Sequence, residues 1–235
     1  MLKAVIFDLD GVVADSHPVH EAAWAALLVE QGLNSASLNL DFLYAGRPRR
    51  EILRHYLGPI NVQEMERLGR RKDELYAIAA DKLTLQPGIP RALTQLNDEG
   101  IMCALATSAG RARTLQTLEK FGITKDFSLI VTGEEVLAAK PAPDIFLLVA
   151  ARLGVEAKHC TVVEDSVAGI QAARAAGMKC AGFAPSKRLP ELGAAGANDL
   201  ISELPDDAPG YFRTLVTARD QERAASHVSA SHPKG

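Results

Sequence analysis

Leu2-Lys3-Ala4-Val5-Ile6-Phe7-Asp8-Leu9-Asp10-Gly11, near the start of a 235-residue chain, decides how the rest is read. From Leu2 to Leu9 the stretch is an apolar run rich in β-branched residues, and it stops in Asp10-Gly11. A run of this kind predicts a strand buried on both faces, the kind found in parallel sheets. Downstream the same signal recurs with helices between. Helices are predicted over Ile89 to Asn97, Arg111 to Phe121, Pro143 to Leu153 and Val167 to Ala176. They alternate with strands over Ile101 to Thr107, Ser128 to Thr132, His159 to Glu164 and Met178 to Phe183. Gly122 and Gly154 stand where helices should stop, and Pro143 where one should start. Such alternation predicts an α/β fold, a Rossmann-like doubly wound parallel sheet.

One long interruption breaks the alternation. A helix is expected from about Pro18, with Trp24, Leu27 and Leu28 on one face and Gly32 as its stop. From about Leu38 to Leu85 no strand is expected, only amphipathic helical patterns at Arg49 to Leu57 and Val62 to Leu83. Pro87-Gly88 closes the segment. The expectation is an α/β core formed by 1–16 and 87–223, with an all-helical cap inserted over 17–86. A patternless tail over 224–235 is expected to be frayed or disordered.

Hydrophobic residues make up 47% of the chain and charged residues 23%, enough apolar surface for a sizeable core. Twenty-six basic against twenty-nine acidic residues leave a formal charge of −3, with no basic excess to hold a nucleic-acid backbone. No run reaches the ~20 apolar residues that span a bilayer. The start lacks the pattern of a signal peptide. Cys103, Cys160 and Cys180 form no CxxC pair and lie in or beside apolar runs, which reads as buried, reduced thiols in a cytoplasmic protein. No GxGxxG or GxxxxGK[ST] follows a strand, which speaks against dinucleotide and P-loop chemistry.

Polar residues gather where the strands should end: Asp8 and Asp10 after the first, Thr107 and Ser108 after the second, Lys140 before a helix, Glu164 and Asp165 at the fourth. Any one of them has a bland reading. Asp10-Gly11 alone is a turn, Lys140 alone is surface, and Ser166 is best read as a helix N-cap. Together they share the carboxyl edge of a parallel sheet, where ligands bind. Asp8, Asp10 and Asp165 are hard oxygen donors suited to Mg²⁺, and crowding them without a cation would be costly. Lys140, the hydroxyls and the N–H groups opening the Arg111 helix suit a phosphate. A carboxylate nucleophile, a metal, a lysine and a hydroxyl are what phosphoryl transfer requires.

On these residues the chain resembles the haloacid dehalogenase superfamily of phosphotransferases. The likeness is carried by Phe7-Asp8-Leu9-Asp10-Gly11-Val12, Ala106-Thr107-Ser108, Lys140-Pro141-Ala142-Pro143-Asp144 and Val163-Glu164-Asp165-Ser166 with Gly169, and spans about Ala4 to Leu204. It implies Asp8 as nucleophile and Asp10 as general acid/base. Mg²⁺ would be held by Asp8, the Asp10 carbonyl and Asp165, with Glu164 as a ligand or just behind one. Thr107 and Lys140 would bind the transferring phosphoryl group. More narrowly, the insert is similar to the cap of β-phosphoglucomutases and their sugar-phosphatase relatives. That likeness implies substrate contact by His20, Trp24, Arg49 (in Gly46-Arg47-Pro48-Arg49) and Lys72 (in Arg71-Lys72), together with Ser108 and Ala109. One departure stands out: where the mutases follow the small residue with a Ser and a Lys, this chain has Ala109 and Gly110. Arg111 or Arg113 are the cations that could compensate. His17 and His20 make no metal pair, since no third ligand accompanies them.

The expected activity is therefore Mg²⁺-dependent hydrolysis of a small phosphorylated metabolite, a sugar phosphate, through an aspartyl-phosphate. The alternative is a phosphohexomutase using the same intermediate. Neither a nucleic acid nor a membrane is expected as partner, and the chain is expected to be a monomer or weak dimer.

Overall fold

The computed structural model describes residues 1–34, 39–40, 42 and 49–217; Gly46, Arg47, Pro48 and the tail expected over 224–235 lie outside the described residues. The chain divides into two compact units: Met1–Val13 with the chain from Gln86 onward, and Ala14–Leu85.

The first unit is the α/β core. Its sheet has six strands: β1 (Ala4–Phe7), β4 (Met102–Thr107), β5 (Leu129–Thr132), β6 (Cys160–Glu164), β7 (Lys179–Phe183) and β8 (Asp199–Ile201). They lie in the order β5-β4-β1-β6-β7-β8 with every pairing parallel. Helices α4 (Ile89–Asp98), α5 (Arg111–Lys120), α6 (Asp144–Leu153), α7 (Val167–Ala175) and α8 (Leu189–Ala195) cover it, followed by a helical stretch over 208–217. β1 shows why the opening run was decisive. Ala4 and Ile6 join a core cluster with Phe146, Val149 and Ile170 on one face. Phe7 points to the other and meets the rings of Phe127 and Phe212 edge-on, each at 6.4 Å. Side chains alternate along a strand, so a strand buried on both sides must be apolar at every position.

Chain order reverses at β1, with β4 and β5 on one flank and β6, β7 and β8 on the other. That is the switch point of a doubly wound sheet, where the carboxyl ends of the strands open a crevice. Phe7 pairs with Leu105 and with Val163, so Asp8 leaves the sheet between the ends of β4 and β6.

The expected strands and helices of this unit are all present, with ends shifted by one or two residues. α8, β8 and the helix over 208–217 were not read from the sequence. β8 has three residues, too few to show a period, and α8 contains Pro190 and Gly193.

The second unit contains α1 (His17–Glu30), α2 (Arg49–Leu57) and α3 (Val62–Ala79) around a small core of Trp24, Leu27, Ile52, Leu53 and Leu68. It is not purely helical, which corrects the expectation of a strand-free insert. β2 (Ala14–Asp15) pairs antiparallel with β3 (Thr84–Leu85). Two-residue strands carry no readable pattern, and this pairing puts residues 14–16 with the helical unit instead of the core.

Cys103, Cys160 and Cys180 are free and buried. Burial, with the nearby Asp126 charge, pushes the Cys103 thiol up to about 12; burial takes Cys160 to about 11 and raises Cys180 as well. A thiol at 11 is ionised in about one molecule per thousand at pH 8, and the thiolate is the reactive form. A disulfide reagent is thus expected to label none of the three in the folded protein and all of them in denaturant, counted by absorbance. Rapid labelling before unfolding would contradict the packing.

Candidate active site

Three of the expected residues converge beyond the ends of β1 and β6. The Lys140 ammonium donates to Asp8 Oδ1 at 2.6 Å, to Glu164 Oε1 at 2.6 Å and to the Ala106 carbonyl at 3.2 Å. An ammonium has three N–H groups, so these acceptors use them all. The side chains are nearly closed to solvent: 7% exposed for Lys140, 10% for Asp8 and 1% for Glu164. The Phe146 ring lies 5.0 Å from the ammonium and adds a polarisable face.

Glu164 is fixed from a second direction. Its Oε2 accepts from the Ser166 N–H and the Ser166 hydroxyl, both at 2.9 Å. Ser166 Oγ in turn accepts from the Gly169 N–H at 3.0 Å, which makes Ser166 the N-cap of α7. Gly169 is required by proximity: a Cβ there would lie 1.9 Å from the Glu164 carboxyl. Glu164 is thereby occupied in orienting Lys140.

Asp165 is buried at the same edge. The Arg188 guanidinium donates to its main-chain carbonyl at 3.0 Å and lies 3.6 Å from its carboxylate. Arg188 is also tied to Glu191 at 2.8 Å. It was missed in the sequence because Ser186-Lys187-Arg188 looks like any polar loop.

Burial pushes the Asp8 carboxyl well above the ordinary carboxylate range. The Lys140 charge pulls against this, while Glu164 and Asp165 push with it. Burial also opposes the charge on Lys140, but Asp8 and Glu164 more than offset it and hold the ammonium protonated above its ordinary range. The lysine is protonated, since two carboxylates face it at 2.6 Å. The acids outnumber this one ammonium, and the surplus negative charge suits a hard divalent cation with oxygen ligands. Among the described residues no group of three or more His, Cys, Asp or Glu side chains could by itself hold a metal. A magnesium ion would have to use fewer side chains, as in the set of Asp8, Asp165 and the Asp10 main-chain carbonyl.

The Asp10 side chain is turned to a different partner. Arg113 donates to it through both terminal nitrogens, at 2.9 and 2.7 Å. Arg111, the other cation considered, lies 3.9 Å from Glu135. Thr107 is buried, and its hydroxyl oxygen accepts from the Ala109 N–H at 3.1 Å. Ser108 is exposed and Ala109 buried. α5 then begins at Arg111 with Gly110 as an N-cap that supplies no side chain, and a Cβ on Gly110 would lie 2.6 Å from the Glu134 carboxylate.

In the helical unit His20, Trp24 and Lys72 also come together. Lys72 Nζ lies 2.7 Å from His20 Nδ1, 5.9 Å from the Trp24 ring and 4.8 Å from the Tyr76 ring. Lys72 is buried. Tyr76 also packs on His20, with ring centroids 4.6 Å apart. It was not singled out, although it stands four residues after Lys72 on the same helix face. Trp24 belongs to the hydrophobic core of this unit. Arg49 is half-exposed and paired with Asp73 at 2.6 Å. Arg71 bridges Glu30 and Glu74.

Comparison with known proteins finds similar chains. The family described as haloacid dehalogenase-like hydrolase matches residues 5–183. The β-phosphoglucomutase of Bacillus subtilis is 38% identical over 216 residues, covering 86% of this chain and 93% of that protein. A phosphorylated carbohydrates phosphatase of Thermotoga maritima is 32% identical over 180 residues, covering 76% and 83%. The crystal structure of β-phosphoglucomutase from Clostridium difficile superposes with a TM-score of 0.77 at 27% identity, over 93% of this chain and 99% of that one.

Proposed function

We propose that this chain, which belongs to the haloacid dehalogenase-like hydrolase family, is a phosphatase of small phosphorylated carbohydrates. The observation that carries the proposal is the Asp8–Lys140–Glu164 cluster at the switch point, with both ion pairs at 2.6 Å.

Asp8 is the nucleophile. Lys140 holds one carboxylate oxygen, which fixes the plane of the group and leaves the other to attack in line. The Asp8–phosphorus bond forms as the bond from phosphorus to the sugar oxygen breaks, and Asp10, which enters this step as the carboxylic acid with one bond to Arg113 released, delivers its proton to that oxygen. Asp10 then takes a proton from the water that attacks phosphorus, and Asp8 leaves as carboxylate. Thr107 and the N–H groups opening α5 receive the phosphoryl oxygens. When bound, magnesium supplies positive charge to the phosphoryl oxygens and keeps Asp8 ionised. In the helical unit, His20 and Lys72 are assigned to the substrate. Arg49 can exchange Asp73 for a substrate anion at little cost, because exposed ion pairs are weak.

The same cluster would serve a phosphohexomutase, and the likeness to β-phosphoglucomutases favours that second reading. The mutase cycle, however, needs a firm grip on a second phosphate. Ala109 and Gly110 offer no polar side chain for it, which favours hydrolysis. Phosphorus NMR of a sugar-phosphate panel with Mg²⁺ separates the two. Accumulating inorganic phosphate is the expected result; a shifted monoester resonance with little free phosphate would establish the mutase, and no change in any spectrum would reject both.

A chelator is expected to lower turnover at least about 100-fold, with prompt recovery on adding Mg²⁺, since a bound cation contributes several kcal/mol of charge stabilisation to such reactions. Undiminished hydrolysis in excess chelator would remove the metal from the mechanism.

A further inference from the structure

We infer that Arg113 is the positioning residue for Asp10: its guanidinium sets where the proton-handling carboxylate stands. The inference rests on the proposed phosphatase chemistry, since it matters only if Asp10 moves protons.

The geometry is a two-pronged fork. Nη1 donates to Oδ1 at 2.9 Å and Nη2 to Oδ2 at 2.7 Å, so both carboxylate oxygens are held in the guanidinium plane. The main chain at Asp10 is already fixed. Gly11 follows with φ +80°, a conformation glycine takes without strain, and the Val13 N–H closes the turn on the Leu9 carbonyl at 3.0 Å. What remains free at Asp10 is the side-chain rotation, and the fork removes it. Both partners are only 27% exposed, so the pair is shielded more than a typical surface ion pair.

The position of Arg113 strengthens the case. It lies in the first turn of α5, where the helix dipole disfavours a cation, and that turn carries no acidic residue of its own. A sequence that breaks a local rule needs a compensating gain elsewhere, and Asp10 is the partner that supplies it. The fork holds Asp10 in its ionised form, the form that takes the proton of the attacking water, and one of its two bonds opens when Asp10 carries that proton.

A double-mutant cycle tests this, read with an aryl phosphate and with the best sugar phosphate. Arg113→Met is expected to lower kcat about 10- to 100-fold, the scale of a catalytic group displaced by about an ångström, while KM moves less than about threefold. Asp10→Asn is expected to cost about 10²- to 10⁴-fold in kcat. The double variant should be no slower than Asp10→Asn alone, because Arg113 has nothing left to position. Arg113→Lys should recover only part of the loss, since an ammonium cannot make the fork.

If the two losses multiply, or if Arg113→Met keeps wild-type kcat beside a slow Asp10→Asn, the positioning role is overturned and the phosphatase reading stands. If Asp10→Asn turns over at the wild-type rate, the phosphatase mechanism fails and the inference fails with it. Should Arg113→Met not fold, as judged by circular dichroism, Arg113→Lys decides alone: a kcat equal to wild type overturns the inference, and a drop with KM unchanged supports it.

Discussion

Asp8→Asn is expected to abolish turnover, by at least about 10⁴-fold, because the only step that joins protein to phosphorus needs an ionised oxygen at that position. The fold should survive and gain stability in the absence of metal. Burial and the charges of Glu164 and Asp165 make an ionised Asp8 unfavourable overall, even beside Lys140. Asparagine has nearly the same shape and sheds that charge. A thermal melt in chelator should show a higher midpoint for the variant, the usual opposition of stability and activity at a functional site. Turnover within tenfold of wild type, or a midpoint several degrees lower, would contradict this account of Asp8.

Lys140→Met should be the more damaging change to the molecule as a whole. It keeps the length of the side chain but strips the cation from Asp8 and Glu164. Removing one partner of a buried ion pair costs about 3–5 kcal/mol, because the charge left behind is buried without compensation. For a chain of this size that corresponds to a fall of roughly 6–20 °C in melting midpoint. The deficit has a defined pH dependence. A carboxyl whose value is raised by folding favours the folded state below its unfolded value near 4, and that stability is lost as the pH rises through the raised folded value. The variant, with no ammonium to pull its acids down, should therefore approach wild type in acid and fall away towards neutrality. Equal midpoints at neutral pH would mean that Lys140 carries little of the cluster's charge balance. Turnover should collapse as well, since the Asp8 carboxyl loses both its orientation and the charge that favours its ionised form.

The order of strands and helices in the core was legible because each buried strand had to be apolar along its whole length and each helix ended in a readable signal, as at Gly122 and Gly154. Asp8, Lys140 and Glu164 were legible too, since topology alone brings strand ends to one edge. Side-chain pairing was not. Arg113 was considered only as a phosphate ligand, whereas it grips Asp10. Arg188 gave no signal, because the contact to Asp165 depends on how the loop after β7 folds back. β2 and β3 escaped notice because two residues have no period. In the helical unit His20 and Lys72 were each singled out by analogy with relatives, but their contact with each other was not, and Tyr76, which completes their cluster, looked like ordinary helix core.

The place of β1 has a consequence for biosynthesis. It is translated before the other strands of its sheet, yet it belongs in the middle of that sheet, and its neighbours β4 and β6 are translated only after the whole helical insert. Contacts so distant along the chain form slowly, and unsatisfied strand edges are sticky while they wait. The nascent Ala4–Phe7 segment therefore spends most of translation as an exposed apolar tag, which makes it a natural client for a chaperone and the first place where overexpression would show as aggregation.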